Sequence, residues 1–168
     1  KKTAVYVGVM ASDYHQKACA SNVVTDSYAA LGNSSGILAN RISYAFGFQG
    51  TSLSIDAACA ASMVALHNAK TSLLLVESDY AIAAGVSLNF HPWKYISFSK
   101  SRMLSPDGQC KSFDKDANGY VPGDGVGVLL LQPLAEALHT RNHIYGLIKG
   151  SAVNHGGQTL SMTAPSVE

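Results

Sequence analysis

Charge is what this sequence has least of. Only 14% of its 168 residues are Asp, Glu, Lys or Arg, against roughly 25% in an ordinary soluble domain, while 47% are hydrophobic. That balance excludes intrinsic disorder, which needs low hydrophobicity and high net charge. Twelve basic residues against eleven acidic ones leave a net charge of +1. No basic stripe exists to neutralise phosphates, so nucleic acid is not an expected partner. Sparse charge has two physical explanations: a large core, or broad surfaces buried against further chain or a partner.

Long hydrophobic runs are missing too. No stretch approaches the roughly eighteen residues that span a bilayer, so no membrane is expected. The opening Lys1–Met10 is basic and then apolar, but it is too short for a signal peptide and is rich in β-branched and aromatic residues, like a strand. It does not begin with Met, which reads as a mature chain, a trimmed one or a fragment. Cysteine is scarce: Cys19, Cys59 and Cys110, with no CxxC pair. An odd, unpaired set argues against a disulfide framework and a structural zinc site, and fits a reducing, cytoplasmic setting. No repeat, low-complexity tract or linker interrupts the chain, and its length suits one domain over 1–168.

What is present is an alternation of apolar strands and helical stretches, which predicts a layered α/β fold. Residues 3–10 form a first strand and 11–33 an irregular segment with a short helix. Ser34 or Ser35 caps a helix to about Phe46, with Ile37, Leu38, Ile42 and Phe46 on its apolar stripe and Gly47 and Gly50 ending it. Ser52–Asp56 is a short strand with Leu53 and Ile55 on one side. From Cys59 to about Leu75 the pattern is helical, with Met63, Leu66, Ala69, Leu73 and Leu74 marking its apolar side, the side expected to pack inward. Tyr80–Val86 and Val126–Leu131 read as buried strands. The long stretch 89–125 is irregular, with turns at Ser105–Gly108 and Asn118–Gly119. A helix over Leu134–Thr140 and a strand over Ile144–Val153 complete the series.

The strongest chemical feature is Ser54-Ile55-Asp56-Ala57-Ala58-Cys59-Ala60-Ala61-Ser62. A buried strand runs into a turn of small residues, and a cysteine opens a long apolar helix. Helix starts carry free N–H groups and partial positive charge, which favour thiolate and so nucleophilicity. The flanking alanines let an acyl chain approach. The competing reading is a small cysteine buried in a helix. Cys19 and Cys110 sit in irregular segments and read as structural.

Other patterns carry less. Asp114-Lys115-Asp116-Ala117-Asn118-Gly119 copies half a calcium loop, but the twelfth position is Gly125 where Glu is needed, so a turn held by Asp and Asn side chains is expected. Gly123-Asp124-Gly125-Val126-Gly127 lacks GxGxxG spacing and leads into a strand, which points to close backbone packing. His139 and His143 lack the glutamate of a zinc protease and fall at a helix end. His67 is over two helical turns from Cys59, too far to activate it. His155 follows a strand end and is the remaining possible base.

Together these residues carry a resemblance. Asp56–Ser62, the stretch Ser112–Leu129 and Val153-Asn154-His155-Gly156-Gly157 with Thr163-Ala164-Pro165 resemble β-ketoacyl synthases. The closest likeness is to ketosynthase domains of modular polyketide synthases whose acyltransferase acts in trans. The resemblance covers essentially the whole chain. It implies a thiolase-like fold (layered α-β-α-β-α), of which 1–168 would be the central part of a single ketosynthase domain. That domain holds the nucleophile-bearing first half and the start of the second. The resemblance also implies that Cys59 takes an acyl chain and condenses it with a malonyl unit. The partners it implies are an acyl carrier protein bearing phosphopantetheine, neighbouring synthase domains and a second copy in a homodimer. No cofactor is bound by this chain itself. The family's two catalytic histidines and lysine fall beyond Glu168, and His155 matches neither histidine. Ala57 and Ala60-Ala61 replace the usual Thr and serines around the cysteine, which keeps the backbone donors and loses hydroxyl contacts. The presence of Cys59 argues against relatives that carry glutamine there and do not condense. The alternatives are a thiolase-like acyltransferase and a non-catalytic scaffold piece of a synthase assembly.

Overall fold

Four strands make one sheet in the order β2-β1-β3-β4. The computed structural model describes residues 2–10, 13–20, 27–161, 164 and 166. In chain order the elements are β1 (Thr3–Gly8), α1 (Asp13–Ala20), α2 (Ala29–Asn33), α3 (Gly36–Phe46), β2 (Ser52–Ile55), α4 (Ala61–Leu74), β3 (Tyr80–Ser87), α5 (Trp93–Lys100), β4 (Gly125–Leu131) and α6 (Leu134–His139). β1 pairs in parallel with β2 and β3, and β4 joins β3 antiparallel. Lys1, residues 11–12 and 21–26 of the expected irregular segment, and Thr163 and Pro165 of the closing motif lie outside the described residues.

β1 lies inside the sheet and all six of its residues are buried. Its alternate side chains feed two cores, as a strand covered on both faces requires. Ala4 and Tyr6 join Ala81 and Ala83 of β3 under Ala65 and Ala69 of α4. Val5 and Val7 join Ala84 under Ala39 of α3, with Leu38, Ile42 and Phe48 around them. The arrangement is three layers: α4, sheet, α3. β3 is apolar on both faces as expected. Serines tie α3 to β2: Ser43 Oγ donates to Ser52 Oγ (2.8 Å), and Ala39 N–H donates to Ser54 Oγ (3.2 Å). Gly47 ends α3 with φ +66°, a left-handed stop that glycine adopts without Cβ strain. Ser35 precedes α3 but makes no side-chain cap.

Several expectations are corrected. The buried face of α4 is Ala61, Ala65, Ala69 and Ser72, with Leu66 and Leu73 at its margin; Met63 and Leu74 are exposed. The reason is distance. Gly8 of β1 and Gly85 of β3 let the helix start press onto the sheet, and only small side chains fit between. A Cβ on Gly8 would overlap the backbone of Ala61 and Ser62, and one on Gly85 would stand 2.7 Å from Ser62 Cβ. On α3, Phe46 is 71% exposed, because the face toward the sheet is Leu38, Ala39, Ile42 and Ser43.

Val126–Leu131 forms a strand, but it is exposed rather than buried, since β4 is the outer strand and, among the described residues, no helix extends over it. The stretch 89–125 contains α5, which the sequence reading missed. Residues 144–153 form no strand: they are exposed, Tyr145 at 98%, and no described neighbour offers them a hydrogen-bond ladder. The glycines at 123, 125 and 127 have open space around them, so they do not serve close packing. Among the described residues no helix is long and apolar enough to cross a membrane.

Contact between α4 and the sheet sets the expected mutational cost. Gly8→Ala should destabilise the protein by about 2 kcal/mol or more through overpacking against backbone. Gly127→Ala, in open space, should stay within about 0.5 kcal/mol. Urea denaturation of both variants checks the contrast.

Candidate active site

The carboxyl ends of the three parallel strands lie at one end of the sheet, where open α/β sheets gather their sites. Beyond Ile55 the chain turns sharply. Asp56 Oδ1 accepts the Ala58 N–H at 2.9 Å, and Ala57 O accepts the Ala60 N–H at 3.1 Å. Ala58 adopts φ +47°, a left-handed conformation that costs a non-glycine residue about 1 kcal/mol or more. Ala58–Ala60 form one 3-10 turn, and α4 starts at Ala61. Cys59 therefore stands in the turn just before the helix rather than within its first residues, and it is exposed. The competing reading of a buried helical cysteine does not hold.

Two tyrosines that the sequence reading passed over bear on this turn, Tyr120 directly and Tyr95 through Tyr120. Burial, first, and then the negative charges of Cys59 and Tyr95 push the Tyr120 phenol above its ordinary 10.0. Tyr95 belongs to α5. Tyr120 is fixed by its backbone, with Met103 O accepting its N–H (3.1 Å) and its own carbonyl accepting the Ser105 N–H (3.0 Å). Its ring lies 6.4 Å from that of Phe98. One signal for α5 was available: Pro92, a residue that favours helix starts, stands directly before Trp93. It was masked by a segment rich in aromatic and β-branched residues, which are weak helix formers.

The remaining candidates have other partners. His67 Nδ1 lies 2.9 Å from Ser151 Oγ. His143 meets Tyr145 edge-on at 4.4 Å, and His139 ends α6. His155 Nδ1 accepts the Gly157 N–H at 2.9 Å. Cys110 Sγ accepts the Val121 N–H at 3.0 Å, which gives it the expected structural part, although it is exposed. Cys19, also exposed, lies 3.7 Å from His15 Nε2 within α1. The 114–119 segment is a side-chain-held turn as expected. Asp114 Oδ1 accepts the Asp116 N–H (2.8 Å), and Asn118 bonds Asp107 (2.8 Å) and Ser105 (3.1 Å). Lys111 and Asn118 hold the Asp107 carboxyl below its usual range. Among the described residues no three His, Cys, Asp or Glu side chains gather as a metal site.

Comparison with known proteins gives one answer. The family described as Beta-ketoacyl synthase, N-terminal domain, matches residues 1–137. The chain is 46% identical over 165 residues to the Hybrid PKS-NRPs synthetase opdA of Penicillium oxalicum, covering 98% of this chain and 4% of that protein. It is 44% identical over 162 residues to Polyketide synthase PksL of Bacillus subtilis, covering 96% of this chain and 4% of that protein. Among solved structures it resembles the ketosynthase from module 6 of the bacillaene synthase of Bacillus subtilis 168, with TM-score 0.86 and 43% identity. That match covers 99% of this chain and 28% of the other. The fold is thus part of the thiolase-like ketosynthase fold, as expected.

The neighbouring charges predict a linked titration. Tyr120 should ionise above 10.0, and Cys59→Ala, by removing one negative neighbour, should move it back down toward that value. Alkaline ultraviolet difference spectra, with Tyr120→Phe to assign the signal, check this. Folding linkage has the same sign: a phenol raised in the folded state adds stability below pH 10 that is lost as the pH climbs through its folded pKa.

Proposed function

The chain belongs to the β-ketoacyl synthase family, and from that premise we propose that Cys59 is its acyl acceptor. The observation that carries the reading is the exposed thiol on a strained turn between β2 and the 14-residue helix α4. The Cys59 thiolate attacks the thioester carbonyl of an acyl chain carried by an acyl carrier protein. The carrier's phosphopantetheine thiolate leaves and takes up a proton. A malonyl carrier protein then binds and loses carbon dioxide. The resulting enolate carbon attacks the Cys59 thioester, and the thiolate of Cys59 departs, leaving a β-ketoacyl chain on the carrier. The Cys59 backbone N–H supplies part of the oxyanion hole.

The substrate is an acyl thioester of a polyketide pathway, and the partners are acyl carrier protein and neighbouring synthase domains in the cytoplasm. Val153–Gly157 favours a synthase served by an acyltransferase in trans. The chain works as a homodimer through β2, which pairs only with β1 among the described strands and leaves Leu53 exposed. An apolar open strand edge invites pairing. The 168 residues alone do not condense: His67, His91 and His155 are each engaged in other hydrogen bonds, and His139 lies at the end of α6.

In the full-length protein a thiol-directed inhibitor should modify Cys59, read by peptide mass spectrometry; modification of Cys19 or Cys110 with Cys59 untouched would refute the assignment. Cys59→Ala should lower condensation at least about a thousandfold, while Cys110→Ala should mainly cost stability. Sedimentation at micromolar concentration should show a dimer, and a monomer would count against the β2 pairing.

A further inference from the structure

The reaction proposed for Cys59 does not use the polar cluster that closes the long excursion between β3 and β4. Asn89 follows β3 by two residues. Its backbone N–H and its Nδ2 both donate to Asp124 Oδ1, at 2.9 and 2.6 Å, and Nδ2 also reaches Gly123 O at 3.2 Å. Ser87 Oγ donates to the same carbonyl at 3.2 Å. Lys94 Nζ, on α5, donates to Asn89 Oδ1 at 2.8 Å. From the other side the buried Asp13 carboxylate accepts the N–H groups of Phe90 and His91, at 3.2 and 3.4 Å. The turn after β3 is therefore held by α1, α5 and the start of β4 at once.

This clasp sits at the Cys59 end of the sheet. Gly85, four residues before Asn89, lies against Ser62, three residues after Cys59. Lys94 adjoins Tyr95 in sequence, and Asp124 follows Tyr120 by four residues. Tyr120 senses the charge of Cys59, and Tyr95 acts in turn on Tyr120. The far end of the excursion is closed separately, by the bridge between Leu104 and Tyr120.

We propose that Asn89, Asp124 and Lys94 are positioning residues: their clasp sets the walls that carry Tyr95 and Tyr120, and the transfer of an acyl chain onto Cys59 depends on it. None of the three touches the reacting thiol. The inference rests on the reading of Cys59 as acyl acceptor. Charge and geometry both matter, because one carboxylate oxygen takes two donors of a single asparagine, and the lysine orients the amide so that its oxygen points away from the carboxylate. Exchanging the two side chains keeps an amide–carboxylate pair beside Lys94.

The test uses full-length protein and two reactions at the same thiol. An acyl N-acetylcysteamine thioester must be seated between the walls to react; iodoacetamide is small and needs no seating. Asn89→Ala and Asp124→Ala should each slow acylation of Cys59 about tenfold, mainly in kcat, with alkylation within about twofold of the parent. Asn89→Asp combined with Asp124→Asn should recover most of the acylation rate. If Asn89→Ala does not fold, Asn89→Ser and Lys94→Gln carry the same comparison. Unchanged acylation in folded variants, or acylation and alkylation falling together with thermal stability, would overturn the positioning role while leaving Cys59 as acceptor. Failure of the parent protein to acylate at Cys59 would instead overturn the reading beneath it.

Discussion

The closeness of α4 to the sheet governs the rest of the structure. A helix that carries Ala61, Ala65 and Ala69 on its inner face can settle nearer to the strands than one that carries leucines. Gly8 and Gly85 remove the last obstruction where the helix begins. This fixes where the chain between β2 and α4 can go. The path from Ile55 to Ala61 is only five residues, so the chain must reverse tightly, and Ala58 takes a left-handed conformation to do it. The thiol of Cys59 is presented outward by that constraint. Small residues thus do two jobs in one motif, close packing below and access above, which is why alanines flank the cysteine on both sides.

The low charge of the sequence has a structural counterpart. The described cores are small and built mostly from alanine; Val5 is the one large side chain that is fully buried among the described residues. Apolar side chains are instead spread over open faces. Val126, Val128 and Leu130 stand out on β4, Tyr44 and Phe46 on α3, and Leu53 on β2. The first of the two explanations for sparse charge, a large core, fails on this count. The second, surfaces that another polypeptide covers, is the one with physical support. It accords with a chain that spans 28% of the ketosynthase it resembles.

Most of the architecture was legible from periodicity. Strand signals are clear at β1, β2 and β3 because β-branched and alternating residues coincide with turn residues at their ends. Gly47 announced the end of α3 correctly. The errors share a cause: apolar periodicity reports which residues could be buried and not how near the neighbouring layer comes. On α4 the large side chains Met63 and Leu74 were therefore assigned to the inner face that alanine and serine occupy. On β4 and over 144–153 apolar residues suggested burial, but burial needs a covering layer and a strand needs a partner, and neither can be read from a segment in isolation. The turn at Cys59 was legible because strand, small residues and helix occur within nine positions. Tyr95 and Tyr120 were not, since they arrive from elements 36 and 61 residues further along the chain.

That distance in sequence also explains why the surroundings of Cys59 need a fastening of their own. Cys59 is held by local geometry: an Asx turn at Asp56, a 3-10 turn and a helix start, all within one short segment. The segments that carry Tyr95 and Tyr120 have no such local support. α5 is only two turns long and exposes Trp93 and Ile96, and the segment from 101 to 124 has no helix or extended strand of its own. Conformational freedom in such a segment is costly to remove, about 1 kcal/mol or more per residue, so a few well-placed contacts decide where it rests. Charged and backbone-directed hydrogen bonds suit that task better than apolar contact, because they fix direction as well as proximity. Asp13, Asn89 and Asp124 each accept or donate two or more such bonds across long sequence gaps, which links α1, the turn after β3 and the start of β4.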